Sequence, residues 1–213
     1  AVRLASVGHD VIIGSRSEDR ARETLERLRD RWPDRTLALE AADNGGAAGA
    51  DVVVVATPWD AAASTVAAVA DELGEKVVIS MANAIAKVGH EFQPLVPPRG
   101  SVAASVQAAV PRAHVSAAFH HVPARALAGL DAPVESDVLV CSDHPDATET
   151  TIEIVGSIPG LRALDSGELS NAAPIEAFAA VLLQVNVRYR TRVALRFTGL
   201  DDVVGAPRSA EAV

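Results

Sequence analysis

Apolar residues along the chain fall in short bursts separated by longer mixed segments. The clearest bursts are Val11-Ile12-Ile13, Val52-Val53-Val54-Val55, Val77-Val78-Ile79, residues 115–119 and Val138-Leu139-Val140, with weaker ones at 36–40 and 161–164. Unbroken Val/Ile runs suit strands buried on both faces, and helix-length segments between them suit a mostly parallel sheet. Over 18–31, small or apolar residues share one face and arginines the other. Ser17 stands as N-cap and Trp32-Pro33 as stop, so this segment is predicted helical. A second helix is predicted over 59–73, between Pro58 and Gly74, and a third over 145–156. The last is predicted over 169–197, interrupted near Pro174.

Residues 1–8 read as the end of a helix capped by Gly8, leading through His9-Asp10 into the Val11 strand. A helix followed by such a strand is the second half of a βαβ unit. The first half would hold a strand and a G-x-G-x-x-G turn, and no part of the sequence supplies that turn. Gly45-Gly46-Ala47-Ala48-Gly49 has the wrong spacing and precedes a strand instead of following one, so it reads as a tight connection. The expected fold is therefore α/β, a doubly wound, mostly parallel Rossmann-type sheet. Its first strand and glycine-rich loop are missing, and a small C-terminal α/β part follows. Residues 1–124 are expected to form the dinucleotide-binding domain, 125–200 the C-terminal part with its long helix, and 201–213 a flexible tail. Without a first strand, the Val11 and Val52 strands should each show an unpaired edge, and pyrophosphate binding should be weak.

Composition narrows the possible functions. Hydrophobic residues make up 49% of the 213, enough for a sizeable core, whereas aromatic residues make up 3%, too few for a base-stacking surface. A net charge of −9 with no basic stripe argues against nucleic acid as a partner. One cysteine, Cys141, excludes an internal disulfide and a cysteine metal cluster, and its place in an apolar run suits a small buried hydrophobe. No apolar run reaches membrane-spanning length and no secretory signal opens the chain, so a cytoplasmic protein without a membrane partner is expected.

Three segments could carry chemistry. Gly14-Ser15-Arg16 ends the Val11 strand, with Arg20 one turn later. In a dinucleotide-binding fold this strand end meets the adenosine ribose, where a carboxylate selects NAD and an arginine accommodates the 2′-phosphate of NADP. Ser15 can donate a hydroxyl proton to that phosphate, and Arg16 can pair with it and stack on adenine. The alternative for these residues is a solvated turn. Ala56-Thr57-Pro58-Trp59 follows the four-valine strand at the sheet end where ligands sit in open α/β folds, and Ser80-Met81-Ala82-Asn83-Ala84 ends the next strand. Phe119-His120-His121-Val122-Pro123-Ala124 is the third segment. Adjacent histidines on a strand face opposite ways, so a chelating pair is not expected, and no metal is assigned. A histidine there could donate a hydrogen bond to a bound ring carbonyl, or simply cap backbone groups.

Together these segments resemble the NADPH:deazaflavin oxidoreductases, the NADPH-dependent coenzyme F-420 reductases. The resemblance covers the chain from Ala1 to about Leu200. It rests on 8–16, on Thr57-Pro58-Trp59, on 120–124, and on Gly160-Leu161-Arg162-Ala163-Leu164-Asp165-Ser166-Gly167-Glu168-Leu169-Ser170-Asn171. It implies an oxidoreductase passing a hydride between nicotinamide C4 and deazaflavin C5. Ser15, Arg16 and Arg20 would hold the 2′-phosphate. Thr57, Pro58, Asn83 and Ala124 would line the NADP site, and His120, Val122 and Pro123 would lie against coenzyme F-420. The other readings are a related NADP oxidoreductase with an imine, ketone or ferric acceptor, and a non-catalytic NADP-binding protein. The apolar stretch Ala179-Val181-Leu182-Leu183-Val185 of the last helix suggests a homodimer.

Overall fold

A computed structural model describes residues 1–200; the predicted tail at 201–213 lies outside the described residues. The elements run α1 (Val2–Ser6), β1 (Val11–Ser15), α2 (Glu18–Arg31), β2 (Leu39–Asp43), α3 (Asn44–Ala48), β3 (Val52–Val55), α4 (Trp59–Ala67), α5 (Ala70–Leu73) and β4 (Val77–Ser80). A hairpin of β5 (Ile85–Val88) and β6 (Glu91–Pro94) follows, then α6 (Val102–Ala109), β7 (His114–Ala117), α7 (Ala124–Leu127), β8 (Ser136–Ser142), α8 (Pro145–Gly156), β9 (Leu161–Asp165) and α9 (Ala172–Tyr189).

The central sheet has the order β3-β4-β7-β8-β9, parallel except where β7 meets β8. It runs without interruption past residue 124. Strands β1 and β2 pair in parallel as a separate sheet, and β1 and β3 share no ladder. Helix α1 lies between the two. Val2 and Ala5 pack with Leu25 and Leu39 of the smaller unit, while Leu4 packs into the cluster of Val77, Ile79 and Val138. The four-valine strand reads as buried on both faces, yet only Val55 is buried and Val54 is 36% exposed, because β3 is an edge strand here.

The structure departs from the sequence pattern at several points. The strand expected at 36–40 is β2, displaced to Leu39–Asp43. The segment 59–73 is two helices, divided at Ala68-Val69. Pro174 does not interrupt the last helix, because it sits in the first turn of α9, where its missing N–H would have no intrahelical partner. That helix ends at Tyr189, and Arg190 takes a left-handed conformation with φ 51°. Gly45 and Gly46 lie in α3, a one-turn helix capped by Asp43, whose Oδ1 accepts from Gly46 N–H at 2.8 Å. A Cβ on Gly14 would stand 2.7 Å from that of Ala47, so glycine at 14 is what lets α3 close over the end of β1. The β5–β6 hairpin and α6 were not foreseen. Their signals were the two-residue Gly89-His90 turn, with Gly89 at φ 60°, and Ser101 as the N-cap of α6.

Candidate functional site

Strand register brings part of the site together. Val55 pairs with Ser80 and Ser80 with Ala117, so the segments after β3, β4 and β7 leave the sheet at one end. These segments carry Thr57, Asn83 and His120, and Thr57-Pro58 leads into α4 with Pro58 in the N-cap position. Three side-chain polar atoms here are buried and have no hydrogen-bond partner among the described residues: Thr57 Oγ1, Ser80 Oγ and His120 Nε2. Protein interiors rarely leave such atoms unpaired, and three at the same ends of adjacent parallel strands make this end of the sheet the candidate site. Ser80, wholly buried, belongs to the 80–84 segment that the sequence placed at a strand end, but its hydroxyl was given no role of its own there.

Backbone strain adds to the picture. The strand expected over 115–119 stops at Ala117, and Phe119 adopts φ 65°, uncommon for a residue with a bulky side chain. Such outliers concentrate at binding sites. Nothing in the sequence signals it. The kink turns the two histidines apart. His121 Nε2–H donates to the Ile175 carbonyl at 2.6 Å, and the ring meets Phe178 edge-on, tying α9 to this end of the sheet. His120 instead meets Asn83: Asn83 Nδ2–H donates to the His120 carbonyl at 3.1 Å, and His120 Nδ1 lies 2.9 Å from Asn83 Oδ1. Burial, with a smaller push from His121, drives the pKa of His120 down to about 3. The ring is neutral. Val122 is buried, Pro123 half-buried and Ala124 exposed, the last opening α7.

The Ser15 group is carried on the other sheet. Ser15, half-buried, ends β1, while Arg16 and Arg20 are exposed and form no ion pair among the described residues. Glu18 and Asp19, the nearest acidic side chains in sequence, are both engaged by Arg22 at 2.5 and 3.2 Å. Asp43, facing Ser15 in register, is occupied by Gly46. The turn at the start of α2 thus carries two arginines that no carboxylate pairs with among the described residues, at a helix N-terminus that favours negative charge.

Two other groups were not foreseen. His114, His144 and Asp146 hold ligand atoms within 4.8 Å of one another at the opposite end of β7. The two rings stack in parallel, 5° apart, which keeps a shared ion out of both ring planes. Glu176 of α9 is buried and accepts from Val102 and Ala103 N–H at 2.8 and 3.0 Å, capping α6 from across the fold. Cys141 is buried, and burial pushes its thiol up to about 12, far from a reactive thiolate.

Comparison with known proteins decides the family. Residues 1–84 match the model of the family described as NADP oxidoreductase coenzyme F420-dependent. Over 207 residues the chain is 33% identical to the F420-dependent NADP reductase of Methanocaldococcus jannaschii, covering 94% of this chain and 92% of the relative. The chain belongs to the F420-dependent NADP reductase family. A second relative of that name, from Methanothermobacter thermautotrophicus, is 35% identical over 208 residues, 95% of this chain and 90% of the relative. Among solved structures, an Arthrobacter sp. FB24 protein provisionally assigned as an F420-dependent NADP reductase superposes with a TM-score of 0.76. It covers 92% of each chain at 22% identity and so shows the Rossmann-type α/β fold of this family.

Proposed function

We infer that the protein is an oxidoreductase that transfers a hydride between NADP(H) and coenzyme F420. The carrying observation is similarity to F420-dependent NADP reductases along nearly the whole chain. When bound, the two cofactors supply the chemistry: a hydride passes between nicotinamide C4 and deazaflavin C5, with one proton taken up or released. The protein's part is to bind, orient and exclude water, since alignment of two rings governs such a step.

The residues present fit that task. Ser15, Arg16 and Arg20 would hold the 2′-phosphate, supported by two arginines without carboxylate partners among the described residues. Thr57, Pro58, Asn83 and Ala124 would line the NADP site, and His120, Val122 and Pro123 would lie against the deazaflavin. The unpaired atoms Thr57 Oγ1, Ser80 Oγ and His120 Nε2 are what a polar ligand would satisfy. Residues 1–124 would act as the cofactor-binding unit and 125–200 as the C-terminal part. The proposal extends to a homodimer built on α9, whose Phe178, Val181, Leu183 and Val187 are 41%, 51%, 37% and 55% exposed. No helix among the described residues is long and apolar enough to cross a membrane. The proposed setting is the cytoplasm, where NADP(H) serves as a reductant. Mixing the protein with NADPH and oxidised F420, and following loss of the deazaflavin absorbance, tests the activity.

A further inference from the structure

The bonds between Asn83 and His120 determine which atom the imidazole offers. The backbone carbonyl of His120 can only accept, so the end of the Asn83 amide facing it at 3.1 Å is the amino group. The amide oxygen then faces His120 Nδ1 at 2.9 Å. That oxygen carries no proton, so the ring nitrogen must supply it. A neutral imidazole has one N–H, which leaves Nε2 as a lone-pair acceptor. Burial keeps the ring neutral at physiological pH, so no second proton arrives on Nε2. Nε2 is buried and has no partner among the described residues, and the residue before it, Phe119, is held at φ 65°. An orphan acceptor beside a strained backbone is a place whose partner comes from outside the chain.

We propose that Asn83 fixes His120 as the Nδ1–H tautomer, so that Nε2 accepts a hydrogen bond from an amide- or imide-type N–H of the ring bound at the strand ends. The inference rests on the proposed function for the identity of that ring. Two groups have this chemistry: the carboxamide NH2 of nicotinamide and the pyrimidinedione N–H of the deazaflavin. A ligand carbonyl placed against Nε2 would meet lone pair with lone pair and be rejected. Asn83 is the positioning residue; His120 is the group that touches ligand.

Long-range proton–nitrogen correlation spectra of the uniformly 15N-labelled chain read the tautomer directly, with His120 assigned by the signals lost in His120→Gln. The expected result is a pyrrole-type Nδ1 and a pyridine-type Nε2, unmoved by pH around neutrality. Asn83→Leu should bring the two nitrogens toward a mixture of tautomers. A wild-type Nε2–H tautomer overturns the proposal, and so does an Asn83→Leu spectrum identical to wild type. NADP+ and oxidised deazaflavin are then added singly and together. The ligand that supplies the N–H should shift Nε2 alone, which identifies the source. Binding detected by fluorescence with Nε2 unmoved in every mixture also overturns it. Turnover of NADPH with the deazaflavin despite the wrong tautomer sinks this inference alone. The right tautomer with no turnover sinks the assigned reaction instead.

Discussion

Arg16 and Arg20 form no ion pair among the described residues, and Glu18 and Asp19 between them are held by Arg22. If Arg16 pairs with the 2′-phosphate, removing it deletes a charge-assisted hydrogen bond worth about 1.5–3 kcal/mol, or about tenfold to over a hundredfold in affinity. Arg16→Ala should weaken NADPH binding by that order and leave NADH nearly unchanged, as read by fluorescence titration of both; equal losses would contradict the assignment. The Gly14-Ser15-Arg16 turn is local and legible in the sequence because its chemistry lies within a few residues. Asp137 is the opposite case. It is wholly buried and accepts from Arg162 Nε and Nη2, both at 2.8 Å, from Phe197 N–H at 2.6 Å and from Arg196 at 3.2 Å. Burial pushes its pKa up, but Arg162, the Phe197 amide and Arg196 outweigh it and hold the carboxyl below its ordinary range. Its partners lie 25 to 60 residues away, so no window of sequence shows them. Breaking a buried pair by removing one partner costs about 3–5 kcal/mol. Asp137→Ala should lower stability by that order in chemical denaturation; a loss below about 1 kcal/mol, the level of an exposed pair, would mean the strap from 190 to 197 is loosely held.

Helix α6 shows how one element depends on another. Its N-terminus is capped by Ser101, which accepts from Ala104 N–H at 2.9 Å, and by Glu176 of α9. Burial outweighs the two amide bonds and raises the Glu176 carboxyl from 4.5 to about 7. A carboxyl raised on folding favours the protonated folded state. Its contribution is fully present below pH 4.5 and is lost as pH climbs through about 7. His120 and His121, kept neutral by burial, act in the other sense, losing stability as pH falls below 6.5. Comparison with Glu176→Gln therefore isolates the carboxyl: the wild type should lose stability relative to the variant between pH 4.5 and 7. A constant difference across that window would contradict the raised carboxyl. The strands at 11–13, 52–55, 77–79 and 138–140 were legible because their apolar pattern is strong, and the helices at 18–31 and 145–156 because Pro33 and Gly156 mark their ends. The β5–β6 hairpin was not, because its strands are four residues each and mostly exposed, giving little apolar contrast.

At the scale of the whole molecule, the β1–β2 sheet and the mostly parallel five-stranded sheet are joined through α1, and the larger sheet gathers Thr57, Asn83 and His120 at one end. The fold class was legible from alternating apolar bursts and helices. The meeting of Asn83 with His120, 37 residues apart, was not, since it depends on the register of β4 against β7 and on the turn at Phe119. The exposed apolar side of α9 bears on assembly. If it is the dimer face, sedimentation should give twice the chain mass, and Val181→Arg should give a monomer that remains folded; a monomeric wild type would remove that part of the proposal. The central claim concerns hydride transfer and has the most direct test. The protein is mixed with NADPH and oxidised F420, and both absorbances are followed together. The account predicts that the deazaflavin band disappears as NADPH is consumed, one for one, and returns when reduced F420 meets NADP+. Consumption of NADPH with some other acceptor, while the F420 band stays constant, would contradict it.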